Sequence, residues 1–315
     1  MGAVLRRAGL SLLTMVLLSM VVFAAGQILP GDVARSILGP LADPRAVAAL
    51  NHQLGTDQPA LPMYGRWIWG LLHGDLGQSY AYRSPVAPFI GRALAKSLAL
   101  AAITSAFVIP LSIGAGILAS LCRGRWQDRA ITLGGLSLTV VPEFVSGILL
   151  ILVFGVWLRV LPISANTRPG TSVAEQMRHL ILPALPLVLI LFGYISRIAR
   201  AGMVEALDAD YTRTARLKGL RPRDVILRHV LRNALLPTIT VIATQTSYLL
   251  GGLVVVETLF RYQGVGSLIL TAARGKDYPM LEAGILTVGA AYVLAAILAD
   301  MLIAVLDPRA QAASR

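Results

Sequence analysis

Charge is scarce in this chain. Only 14% of its 315 residues are Asp, Glu, Lys or Arg, against the roughly 25% of an ordinary soluble domain. Cysteine is almost missing: Cys122 stands alone, which excludes an intrachain disulfide and any cysteine-based zinc cluster. The four histidines, His52, His73, His179 and His229, are far apart and none has HExxH spacing. No Gly-x-Ser-x-Gly elbow occurs. A phosphate-cradling loop is lacking too. The one Gly-Lys pair, Gly275-Lys276, is followed by Asp277 and has Leu270 where the first glycine belongs. These absences leave no candidate catalytic residue and no candidate metal ligand set, and a non-catalytic chain is expected.

What is there is apolar. Hydrophobic residues make up 56% of the chain, and the mean hydropathy is +0.71. They are gathered into runs of the length that crosses a hydrocarbon core, about 20 helical residues each. Six spans stand out, at about 9–29, 97–121, 131–158, 180–199, 236–259 and 283–306. The chain is therefore expected to be an all-α polytopic membrane protein. Between the first two spans lies a mixed, Gly- and Pro-rich stretch with the aromatics Tyr64, Trp67, Trp69, Tyr80 and Tyr82, which reads as a small extramembrane subdomain or an interfacial aromatic belt. The first span, preceded by Arg6 and Arg7, also resembles a signal peptide. At about 22 apolar residues it is long for a signal core and sufficient to span, so a retained helix is expected.

The net charge of +12 does not require nucleic acid, because cytoplasmic loops of membrane proteins collect Lys and Arg. With the N-terminus inside, that side receives Arg6 and Arg7, then Arg123, Arg125 and Arg129, then nine basic residues from Arg197 to Arg232, and finally Arg309 and Arg315. Much of the remainder lies in the long first loop or at its exit, which weighs less in this rule. Both termini are expected in the cytoplasm.

The basic cluster is the most informative stretch: "DYTRTARLKGLRPRDVILRHVLRNALLP", residues 210–237. Asp210 near one helix start, and Arg216 and Lys218 near its end, suit the helix dipole. Gly219 then supplies a left-handed stop, which predicts a helix over 210–218. Pro222 suits the first position of a second helix, with Asp224 in its first turn. At helical spacing Ile226, Leu227, Val230, Leu231 and Ala234 share one face; Asp224, Arg228 and Arg232 form a row on the other, with His229 beside it. Asn233 and Pro237 mark the hand-over to the fifth span. This is a stiff element with a basic ridge. Periodicity alone leaves open whether it lies on anionic lipid or docks a protein.

Within it, "RTARLKGL" places Arg213, Thr214, Ala215 and Gly219 at the spacing of a Glu-Ala-Ala-x-x-x-Gly signature, in the variant with arginine for glutamate. It resembles the signature loop of binding-protein-dependent ABC importer permeases of the peptide and nickel branch, the B-type dipeptide and oligopeptide permeases. "GDLGQS" (74–79), "VVVETLF" (254–260) with "GVG" after it, "DYP" (277–279) and "LDPR" (306–309) are similar to the same branch, in the expected order along the full chain. Arg221 departs from the pattern where a serine cap is common.

The resemblance implies a type I ABC importer permease fold. Its parts would be an N-terminal transmembrane helix (1–30), an extracytoplasmic subdomain (31–94), a permease domain (95–309) with its coupling loop at 203–237, and a tail (310–315). It also implies that Asp210, Tyr211, Arg213, Thr214, Ala215, Arg216, Lys218, Gly219, Leu220, Pro222, Asp224, Arg228, His229, Arg232, Asn233 and Pro237 couple this chain to a cytoplasmic ATPase. The implied partners are a second, homologous permease, two ATPase subunits that bind ATP and magnesium, an extracytoplasmic substrate-binding protein and membrane lipid, in the plasma (inner) membrane. Di- or oligopeptides are the expected cargo, with nickel or glutathione as alternatives of the same family. A secondary transporter or channel working without ATPases is the alternative of another class. Ionisable groups within spans are default functional candidates. Pro142 and Glu143, at a helix break expected within the third span, and Glu257, near an outer mouth, are candidates for the translocation pathway.

Overall fold

The computed structural model describes residues 2–28, 33–39, 41–168 and 170–306. The end of "LDPR", Arg309, Arg315 and the 310–315 tail lie outside the described residues. Among those described, no strand forms. The helices are α1 (Gly2–Ile28), α2 (Val33–Leu38), α3 (Pro44–Leu54), α4 (Ala60–Leu72), α5 (Ala87–Leu121), α6 (Trp126–Val140), α7 (Glu143–Leu150), α8 (Val173–Asp208) and α9 (Asp210–Leu217). Then follow α10 (Pro222–Asp224), α11 (Leu231–Ala234), α12 (Leu236–Gly252), α13 (Val254–Leu259), α14 (Val265–Gly275) and α15 (Tyr278–Leu306).

Among the described residues, four helices are long and apolar enough to cross a membrane unbroken, over Gly9–Gln27, Ala87–Leu121, Val173–Asp208 and Tyr278–Met301. Two more candidates are bent pairs. The third expected span breaks at Val141–Pro142, where Trp126–Val140 and Glu143–Trp157 meet at 105°. Proline lacks the amide that would continue the helix and pushes the residue before it out of helical geometry; Val141 is extended, with φ −74° and ψ 122°. The fifth span is shorter than expected. Its helix α12 ends at the Gly251-Gly252 pair, two residues of poor helix propensity, and α13 starts afresh. The pair Pro222–Ala234 and Leu236–Thr246 meets at 47°, with Pro237 at the joint.

The chain divides into two compact units, one of Met1–Leu98, Gly251–Thr258 and Gln263–Val293, the other of Ala99–Leu250, Leu259–Tyr262 and Leu294–Arg315. The expected subdomain 31–94 therefore sits in a unit with α1, α14 and most of α15. There Phe23 of α1 packs on Tyr64 and Trp67 of α4, with ring centroids 5.3 and 5.9 Å away. Val86, Ile90, Ala272, Met280, Leu281 and Ala283 form a buried cluster. Gly284 leaves room for Ile269 and Gly289 for Leu18, so α15 approaches α14 and α1 closely. In the other unit α6 and α8 touch backbone to backbone at Gly135 and Gly193, where any Cβ on Gly193 would meet the Gly135 carbonyl. Small residues at such crossings replace the hydrophobic drive that lipid does not supply.

Candidate functional site

The basic insert folds as an elbow held from behind. Helix α9 begins after an extended Ala209 and runs to Leu217. Thr212 is fully buried and its Oγ1 donates to the Ala206 carbonyl at 2.7 Å, pinning α9 to the last turns of α8. The helix stops as the sequence predicts. Gly219 has φ +75°, and the amides of Gly219 and Leu220 reach the carbonyls of Arg216 and Ala215 at 3.0 and 3.4 Å. Arg221 caps the next helix with no side-chain hydrogen bond, consistent with the missing serine, and Pro222 takes its first turn.

The second helix differs from the expected regular one. Val225–Val230 is π-helical between α10 and α11. An i→i+5 repeat winds more slowly than 100° per residue, and this shifts which side chains face inward. Val225, Val230 and Ala234 are buried with Met203, Ala206 and Ala215, and Ile226 and Leu231 are half-buried. Leu227, expected on the apolar face, is 64% exposed. Gly202 of α8 lies so close to the Ala234 carbonyl that a Cβ would collide with it. Asn233 donates to the His229 carbonyl at 2.9 Å.

The free side of the elbow carries two kinds of groups. Arg213, Arg216, Lys218, Arg221, Arg223, Arg228, His229 and Arg232 are exposed. Tyr211, Leu217, Leu220 and Leu227 are exposed among them, Leu217 by 80%. The Asp224–Arg228 pair is 3.8 Å apart and open to solvent, so it adds little to stability. Behind the elbow, Arg200 of α8 grips Asp128 of α6 with two bonds of 2.5 and 2.8 Å. Asp128 also accepts from the Gly124 amide at 2.9 Å. Arg123 and Asp208 close a second, exposed bridge at 2.9 Å.

The other motifs meet in pairs. "GDLGQS" touches "DYP": Ser79 donates to Asp277, whose carboxylate also accepts the Tyr80 amide at 3.0 Å and the Ala81 amide at 3.4 Å. Burial, reinforced by the carboxylates of Glu282 and Asp277 and by Tyr278, pushes the Tyr80 phenol up to about 12. "VVVETLF" touches "GVG". Glu257 has no exposed surface; its Oε1 accepts Ser97 at 2.5 Å and its Oε2 accepts the Ser267 amide at 2.9 Å, at the start of α14. Ser97 in turn accepts the Val265 amide at 2.9 Å. Gly264 is required here because a Cβ would occupy the place of the Glu257 carboxyl. The residue expected near an outer mouth is thus enclosed, with one oxygen held by the Ser97 hydroxyl of α5 and the other by an amide at a helix N-terminus. Glu143, by contrast, is half-buried in the first turn of α7, beside the exposed Pro142. Its carboxyl has no hydrogen-bonding or ionic partner among the described residues.

The family described as the inner membrane component of binding-protein-dependent transport systems matches residues 112–312, and its N-terminal region matches 1–114. This chain belongs to that family. The permease is 35% identical over 306 residues to a Brucella abortus (strain 2308) protein named as a peptide transport system permease, covering 97% of this chain and 98% of that one. It is 37% identical over 298 residues to the glutathione transport system permease protein of Escherichia coli (strain K12), covering 94% of each. A chain from the crystal structure of an amino acid ABC transporter matches over 71% of the permease and 94% of its own length, with a TM-score of 0.49 at 13% identity. By the family match and the two relatives, the chain is a multi-pass permease subunit of an ABC import system.

Sequence reading placed the permease's elbow but missed what braces it. Asp128 and Arg200 are 72 positions apart and share no motif. Ser79 and Asp277 each lie in a motif quoted above, yet nothing local pairs them across 198 positions.

Proposed function

We propose that this permease carries short peptides inward across the plasma (inner) membrane, driven by ATP hydrolysis in separate subunits to which it couples through residues 210–237. One of two ATPase subunits holding ATP and magnesium would seat on the exposed basic and apolar side of the elbow, with both termini on the same cytoplasmic side. A second permease would complete the pathway, and an extracytoplasmic binding protein would deliver cargo.

The observation that carries this reading is the construction of the elbow. Its far side is anchored by Thr212, Gly202 and a buried apolar cluster, while Arg213, Arg216, Leu217 and Leu227 face outward, exposed among the described residues. A lever needs that combination, because a flexible loop would absorb the motion it has to transmit. Pro142 and Glu143, at the 105° break, are the residues we assign to the pathway, since irregular backbone at membrane depth persists where it lines a cavity. Glu257 serves on this reading as a brace for α14.

Relatives named for peptide and for glutathione both support short peptides as cargo, glutathione being itself a tripeptide. The test is uptake of labelled dipeptide, tripeptide and glutathione into vesicles containing the assembled transporter. Arg228→Glu combined with Arg232→Glu is expected to cut ATP-dependent uptake at least tenfold while membrane insertion stays normal. Undiminished uptake at normal expression would overturn the coupling role.

A further inference from the structure

A cavity of 610 Å³ opens within the unit that contains the first loop, walled by α1, α3, α4, the 75–80 segment and the start of α15. Its size lies inside the ~300–1,000 Å³ range of small-molecule sites. Glu282 projects into it from the second turn of α15. The residue is only 5% exposed, and its carboxyl makes no hydrogen bond or ion pair with any described residue. This is unlike the molecule's other buried carboxyls. Asp128, Glu257 and Asp277 each have two or more donors.

The rest of the lining narrows what would satisfy Glu282. Trp67, Tyr80 and Tyr278 contribute aromatic walls. Asp75 adds a second carboxylate at the exposed rim, already accepting the Gly77 amide at 2.8 Å. Arg66, the cation of the lining, is exposed and donates to the Gln58 side chain. No group of three or more His, Cys, Asp or Glu side chains converges here among the described residues, which disfavours a metal ion. An ammonium group fits better: it pairs with an otherwise uncompensated buried carboxylate, and aromatic faces attract it. Gly26 lies beside the carboxyl: a Cβ there would sit in van der Waals contact with Glu282 Oε1, 3.5 Å away.

We propose that this cavity is a binding site for the primary ammonium group of a small organic amine, with Glu282 as its counter-charge and Trp67, Tyr80 and Tyr278 as its walls. The site is separate from the elbow and from the broken third span, and it does not depend on which cargo the transporter moves. The amine's apolar body lies against the rings while its charged end reaches the carboxyl. Asp75 at the rim attracts the cation on entry.

The test is isothermal titration of the full-length permease in lipid nanodiscs with two probes that share an aromatic body, phenethylamine and its uncharged derivative N-acetylphenethylamine. The amine is expected to bind at least tenfold more tightly than its neutral acetylated counterpart. Glu282→Gln is expected to lower amine affinity at least tenfold and to leave the acetylated probe unchanged. Equal binding of the two probes, no binding of either, or full amine affinity in Glu282→Gln would each overturn the assignment. The comparison on the wild-type chain decides the matter even if that variant fails to insert. Gly26→Leu, which grows a side chain toward the carboxyl, gives a second route and should likewise abolish amine binding.

Discussion

Asp128 accepts bonds from Arg200, from the Gly124 amide and from Thr132, so one carboxyl joins the start of α6 to α8. Removing its charge would leave the Arg200 guanidinium without its partner. A fully buried broken pair costs ~3–5 kcal/mol, and the solvent access Arg200 retains brings the expected loss for Asp128→Asn to about 2–3 kcal/mol. Thermal unfolding in detergent would show it as a lowered Tm. Arg200→Lys should recover only part of the loss, because an ammonium cannot reproduce the two parallel bonds. Asp277 admits the same kind of test. Asp277→Ala strips the acceptor from Ser79 and from the Tyr80 amide, and charged hydrogen bonds contribute about 1.5–3 kcal/mol each. Limited proteolysis of the first loop should then proceed faster than in the wild type. Neither carboxylate announces its partner in the sequence. A hydrogen bond across 72 or 198 positions leaves no periodicity to read, whereas the glycine and proline turns of the elbow are decided within a few residues.

On the proposed coupling role, the elbow is the element whose stiffness matters. Gly219 holds φ +75°, a conformation costing other residues roughly 1–2 kcal/mol, so Gly219→Val should strain or refold the joint between α9 and α10. Thr212→Val is gentler. It keeps shape and volume but cuts the bond to the Ala206 carbonyl that pins α9 to α8. Both variants are expected to insert normally and to lower substrate-stimulated ATP hydrolysis in the assembled transporter. Thr212→Val should fall by severalfold and Gly219→Val more. Wild-type stimulation in both would argue that the elbow transmits nothing. The α9 stop, the Pro222 start and the Pro237 joint were all legible beforehand, since each is set by backbone chemistry at one position. The π-helical turn over Val225–Val230 was not. Its inward side chains, Val225 and Val230, are chosen by contact with Met203 of α8 and Ala215 of α9, a packing of one helix on another that no local spacing displays.

For the molecule as a whole, we propose from the distribution of arginines that the elbow and both termini share the cytoplasmic side of the membrane. The lone cysteine gives a direct probe. Cys122 follows the last residue of α5, beside Arg123 and Arg125. A membrane-impermeant maleimide is expected to label it in inside-out vesicles and to leave it unlabelled in intact, right-side-out ones. Labelling from the outer side would invert the topology and remove the elbow from any cytoplasmic ATPase.

By itself the sequence determined that the chain crosses a membrane, roughly where it crosses, where the third crossing breaks, and that a stiff basic elbow joins α8 to α12. These follow from run length, from proline and glycine geometry and from helical spacing, all of which act over a few residues. Only the tertiary structure decided that "GDLGQS" closes on "DYP", that Glu257 is walled in at the start of α14, that Arg200 holds Asp128, and that Glu282 stands alone in a cavity. Those outcomes depend on which distant surfaces are brought within hydrogen-bonding reach, a property of helix packing that local spacing does not encode.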